Sequence, residues 1–145
     1  MNTEEIPMNH SGKCACGEVE FTFTGDPINS AYCYCHSCQF RTNADRWFGV
    51  WVPRENLTFT RGKPSSFIRK GDSGKTVDFF FCGNCGINLA GFAEIGDFYS
   101  VAASVIENSA QFPPQMLIYT AHAPEGTIFP EGVPRYDQLP PRDGR

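Results

Sequence analysis

The chain has no apolar run approaching the roughly 20 residues that a membrane-spanning helix requires, so no membrane partner is expected. Its first six residues are acidic and polar, without the basic start and apolar stretch of a secretory leader. The expected location is therefore cytoplasmic. Charge is sparse: Asp, Glu, Lys and Arg make up 19% of the chain and the formal net charge is −4. That balance argues against a nucleic-acid partner, as does the lack of the C-x₂₋₄-C-x₁₂-H-x₃₋₅-H spacing of a DNA-reading finger. Internal repeats and low-complexity segments are missing. No i, i+3, i+4, i+7 apolar pattern persists for three turns, so helix should be scarce.

Aromatic and turn-forming residues are abundant. Thirteen Phe, fourteen Gly and eleven Pro among 145 residues indicate a β-rich, turn-rich globule of one domain. The domain is expected to span 13–145, after an N-terminal tail at 1–12. Val19, Phe21 and Phe23 alternate with Glu20 and Thr22, the period of a half-buried strand. Residues 47–52 read as a strand ended by Pro53, which lacks the donor that a ladder needs. Further strands are predicted at 57–60, 67–69, 77–81, 87–90, 98–102 and 116–119, with a hairpin turn at Gly71, Asp72, Ser73 and Gly74. Trp47 and Trp51 fall on one face of their strand and are read as core aromatics.

Seven cysteines stand in three clusters: Cys14 with Cys16, Cys33 with Cys35 and Cys38, and Cys82 with Cys85. The spacings C-x-C, C-x-C-x-x-C and C-x-x-C let neighbouring sulfurs reach one ion. A disulfide framework would leave an odd thiol and needs an oxidising compartment. Cys82 and Cys85, followed by Gly86, form a metal knuckle, and Cys14 and Cys16, followed by Gly17, form a second half-site. Together they make one closed Cys₄ structural zinc. Cys33, Cys35 and Cys38 then chelate a second zinc, giving two per chain. Three thiolates leave a coordination position free for substrate, unless His36 or His122 fills it and both metals are structural. Zinc with three thiolates is a poor Lewis acid for hydrolysis but well suited to another soft ligand, so a small thiol is the expected guest. Tyr34 and His36 are expected to orient the metal loop. Arg41 and Arg46 are the cations placed to meet a substrate carboxylate.

The order C-x-C-G-x-V-x-F at Cys14 to Phe21, C-x-C-x-x-C at Cys33 to Cys38 and F-C-x-x-C-G at Phe81 to Gly86 resembles the glutathione-dependent formaldehyde-activating enzymes, whose domain also occurs in centromere protein V. Residues 51–57 and Leu139 with Pro140 fit the same pattern. The resemblance implies a compact, mainly β domain of small antiparallel sheets stapled by zinc-thiolate sites. It implies the same division of cysteines, with Cys33, Cys35 and Cys38 around the catalytic, substrate-side zinc. It implies carbon–sulfur lyase chemistry, joining a small thiol such as glutathione to formaldehyde or another small carbonyl. The alternative is a non-catalytic zinc-binding module. Residues 39–47, Phe79 and Ile87 differ from the family's usual residues where a tripeptide's carboxylates would dock, so an altered thiol preference is expected.

Overall fold

Short stretches of alternating side chains build two sheets from residues 9–70 and 74–141, which the computed structural model describes. The strands are β1 Asn9–Lys13, β2 Glu20–Thr24, β3 Asn29–Cys33, β4 Trp47–Pro53, β5 Leu57–Arg61, β6 Ser65–Lys70, β7 Thr76–Phe81, β8 Asn88–Ala93, β9 Phe98–Ala102 and β10 Met116–Ile118. A three-stranded sheet has the order β1-β2-β5, and a seven-stranded sheet the order β10-β3-β4-β9-β8-β7-β6. Neighbours are antiparallel, except β10 and β3, which run parallel. Among the described residues, α-helix is confined to α1, His36–Thr42, beside short 3₁₀ turns. The fold is mainly β, as the composition indicates.

The main core lies between the sheets. Phe21 and Phe23 of β2 meet Val50 and Val52 of β4, Leu89 of β8 and Val101 of β9, all fully buried or nearly so. Because side chains alternate along a strand, Val50 and Val52 inward put Trp47, Gly49 and Trp51 on the opposite face. That second face carries the candidate site. A smaller cluster of Ala31, Met116 and Ile118 packs at the β3 and β10 end.

Three elements differ from the sequence reading. β1 occupies residues 9–13, so the boundary expected between a tail and the domain falls inside a strand; residues 1–8 lie outside the described ones. The strand is polar, and alternation cannot reveal it. It is held by pairing with β2 and by the His10 ring, 4.7 Å from Phe23 and 5.2 Å from Phe112. β3 begins with Asn29 and Ser30 yet runs inside the sheet, with Ser30 and Ala31 buried. α1 is too short to show helical periodicity. The hairpin turn predicted at 71–74 lies mostly outside the described residues, but its flanking strands pair antiparallel, with Lys70 opposite Thr76.

Leu89 is fully buried in the intersheet core. Leu89→Ala should lower unfolding free energy by about 3 kcal/mol through lost burial and the cavity left behind. Urea denaturation of the metal-loaded protein measures this, and a loss under about 1 kcal/mol would mean that the core is placed elsewhere.

Candidate metal centre

Cys14 and Cys16 lie in the turn between β1 and β2, and Cys82 and Cys85 in the turn between β7 and β8. The four sulfurs come together from different sheets. Gly17 and Gly86 take φ values of +82° and +79°, a region that glycine enters without steric cost. They turn backbone donors inward: Val19 N–H donates to Cys14 Sγ at 3.4 Å, and the Asn84 and Cys85 N–H groups donate to Cys82 Sγ at 3.4 Å. The Asn84 side-chain amide donates to Cys16 Sγ at 3.3 Å. Sγ separations are 3.6 Å for Cys14 and Cys16 and 3.7 Å for Cys16 and Cys82. Ligands about 2.3 Å from a tetrahedral zinc lie about 3.8 Å apart, whereas a disulfide needs about 2.05 Å. All seven cysteines are free thiols, so this spacing fits an ion. Burial raises the Cys14 pKa, but hydrogen bonds from Val19 N–H and the Cys16 and Cys82 thiols outweigh it, bringing the thiol to about 6.

The second group is local. Cys33 ends β3, Cys35 caps the N-terminus of α1 by accepting from Cys38 N–H at 3.4 Å, and Cys38 sits in the first turn. Their sulfurs lie within 4.8 Å of one another, and no His, Asp, Glu or further Cys among the described residues joins them. Hydrogen bonds from the Cys33 and Cys38 thiols pull Cys35 to about 3. Donating to Cys35 pushes Cys33 up, and bonds to Cys33 and Cys35 do the same for Cys38. Three thiols this close cannot all lose their protons without a cation among them, and a thiolate-binding metal would supply it.

His36 and His122 stack on each other, centroids 4.6 Å apart, instead of joining the sulfurs. Tyr34 is buried, and burial raises its pKa. Gln39 Nε2 donates to the carbonyls of Tyr34 and His122, both at 2.9 Å, fixing α1 against the chain around it.

All three sulfur residues line a cavity of about 190 Å³ on the second face of the large sheet. The register makes its floor continuous. Cys33 pairs with Trp47, Trp51 with Ser100, Ser100 with Gly91, Gly91 with Phe79, and Val77 with Ala93. Trp47 Nε1 donates to Ser100 Oγ at 3.0 Å, and Trp51 stacks on Phe98 at 4.5 Å. The indole of Trp47 crosses Gly49, where a Cβ would collide with it and with Ser100 Oγ. Both tryptophans thus line the cavity and also pack as the sequence reading expected: Trp47 is buried, and Trp51 lies against the Ala31, Met116 and Ile118 cluster. Their shared face was legible; which side of the sheet it covers depends on strands far away in sequence.

Arg41 also lines the cavity. Its guanidinium lies over the rings of Phe79 at 4.4 Å and Phe67 at 4.9 Å, and its Nε and Nη2 are buried without a hydrogen-bond partner among the described residues. Burial lowers its pKa and the nearby Cys38 sulfur opposes this. Arg46 is elsewhere: its guanidinium covers Tyr32 at 3.9 Å, meets Asp45 at 3.4 Å and is not part of the lining. Phe67 and Phe79 as a seat for Arg41 were missed: the sequence marks Phe67 only as a strand residue and Phe79 only as a strand residue that departs from the family's usual one.

The two thiol groups should differ on mutation. Cys82→Ser removes a link between chain segments 66 residues apart at Cys16 and Cys82 and should leave the protein largely unfolded, since metal binding at such sites contributes about 10 kcal/mol or more to folding. Cys35→Ser breaks a short local chelate and should keep the fold while losing about half of the bound metal. Circular dichroism and metal analysis test the pair. Equal unfolding by both variants would contradict the division of roles.

Comparison with known proteins places this geometry. A family description, glutathione-dependent formaldehyde-activating enzyme, matches residues 9–122. No curated protein matches. A crystal structure of a Rhodobacter sphaeroides protein superposes with a TM-score of 0.52 at 20% identity, covering 68% of this chain and 88% of the other, which is a likeness of fold. The match runs from the first residue of β1 through both thiol groups to His122, and the chain belongs to the glutathione-dependent formaldehyde-activating enzyme family.

Proposed function

We propose that the protein is a zinc-dependent carbon–sulfur lyase that joins a small thiol to formaldehyde or another small carbonyl, or cleaves such an adduct. The carrying observation is that three sulfurs, without a fourth ligating side chain among the described residues, face a cavity. Zinc held there would supply a position at which a thiol is kept as thiolate, because this metal accepts soft ligands readily. In this reading Cys14, Cys16, Cys82 and Cys85 hold a structural zinc, and Cys33, Cys35 and Cys38 are the catalytic-site ligands.

The chain's own residues give the reaction its setting. Trp47, Trp51 and Phe98 wall the cavity with apolar surface, which offers water few partners beside the reacting groups. Arg41 places a positive charge near Cys38, offsetting the formal −1 of three thiolates around a divalent ion, and is the lining cation able to meet a substrate carboxylate. Arg46 would act at most from outside the cavity, on a portion of substrate that extends beyond it. The substrate sulfur adds to the carbonyl carbon. A C–S bond forms, the C–O π bond breaks, and the thiol proton ends on the new hydroxyl oxygen. No oxidant is required. Among the described residues no helix is long and apolar enough to cross a membrane. Seven free cysteines suit a reducing compartment, and we place the activity in the cytoplasm.

Cobalt substitution tests the open position directly. Titrating the cobalt-loaded protein with mercaptoethanol should change the sulfur-to-metal absorption bands, and Cys35→Ser should abolish the change. Unaltered spectra at saturating thiol would favour a closed, non-catalytic module.

A further inference from the structure

The cavity beside Cys33, Cys35 and Cys38 is wrongly lined to enclose the charged groups of a tripeptide. Glutathione carries two carboxylates, an ammonium group and two peptide units, each of which needs a partner once it leaves water. Among the described residues, the lining contains no Lys, His, Asp, Glu, Asn or Gln, and a single cation, Arg41. Its polar atoms are otherwise few, and Ser100 Oγ already accepts a bond from Trp47. Apolar surface dominates: Trp47, Trp51, Phe79 and Phe98 form the walls, with Val77 and Ile95 beside them.

The size is that of a hydrocarbon group. A dry apolar cavity of about 150 Å³ holds benzene, and this one has about 190 Å³. Gly91 keeps the floor open. It lies in the middle of β8 between Phe79 and Ser100, and a Cβ there would meet Val77 at 3.5 Å and Phe79 at 3.6 Å, ordinary contact distances on the cavity side. A larger side chain at 91 would take up ligand space without forcing the backbone.

We infer that the substrate of this site carries an aryl or branched-alkyl group that fills the cavity over Gly91, with at most one carboxylate, directed at Arg41. The inference rests on the thiol-handling reading above and specifies its substrate class: an apolar thiol, or the adduct of a thiol with a carbonyl.

The chain's two tryptophans both line the cavity, so their fluorescence reports its occupancy. The zinc-loaded protein is titrated with benzyl mercaptan, glutathione, mercaptoethanol and benzyl alcohol. Benzyl mercaptan should bind roughly tenfold or more tighter than glutathione or mercaptoethanol, from burial of the ring. Benzyl alcohol should compete with it more weakly. Gly91→Val should weaken both benzyl probes roughly tenfold, with mercaptoethanol little changed. Should that variant not fold, the ranking on the unmodified protein decides alone. Glutathione binding as tightly as benzyl mercaptan overturns the inference and leaves thiol chemistry standing. Neither benzyl probe quenching fluorescence also overturns it. Benzyl alcohol binding as well as benzyl mercaptan upholds the apolar preference while removing support from the thiol reading.

Discussion

The rest of the structure depends on the convergence of Cys14, Cys16, Cys82 and Cys85. The pairs come from turns on different sheets, and their sulfurs meet at the spacing that a tetrahedral ion sets. Cys14 and Cys82 are themselves buried in the intersheet core beside Val19 and Phe21. A metal held there would act at the same place as apolar burial, and the two would reinforce one another. The three-stranded sheet is small, and its attachment also draws on the side chains of β2 and β5, the His10 ring against Phe112, and a bridge between Gly12 and Ile106 flanked by hydrogen bonds between Ser11 and Glu107. Fixing it leaves the large sheet with one face packed and the other free for chemistry.

That division of faces explains how a short sequence supports both a core and a site. On β4, Val50 and Val52 point to the small sheet while Trp47, Gly49 and Trp51 point away. Six of the seven paired strands, all but β6, bring residues from widely separated segments into one floor. α1 then presents Cys38 and Arg41 at its edge. Asn88 Nδ2 donates to the Arg41 carbonyl at 2.7 Å, tying the helix to β8. The site is thus held between a rigid sheet and a short, well-anchored helix, as a preorganised pocket requires.

The cysteine groups were legible in sequence because metal ligation imposes short spacings that few other constraints produce. The strand at 19–23 was legible from alternation, and those at 47–52, 57–60, 77–81 and 98–102 from aromatic and β-branched runs bounded by turn residues. β1 and β3 were hidden because their sequences are polar or small and lack apolar alternation, so their place depends on pairing and on packing against distant residues such as Phe112 and Met116. The cavity was hidden for a topological reason. Whether Trp47 and Trp51 face the core or the site is set by which face the small sheet covers, and nothing local to β4 encodes that. Arg41 could be named as a cation near the metal loop, but its seat on Phe67 and Phe79 arises from the β6 and β7 pairing. Arg46 carried the same sequence signal and lies on Tyr32.

The central claim is that one thiol group closes around its metal and the other leaves a position open to the cavity. Anomalous diffraction at the zinc edge, from crystals grown with a small thiol, tests it most directly. The account predicts a zinc peak at each thiol group, with four protein sulfurs around the one at Cys14, Cys16, Cys82 and Cys85. Around the other it predicts Cys33, Cys35 and Cys38 plus the sulfur of the added thiol, reaching in from the cavity. A protein side chain completing that second site, or no metal there at all, would contradict it.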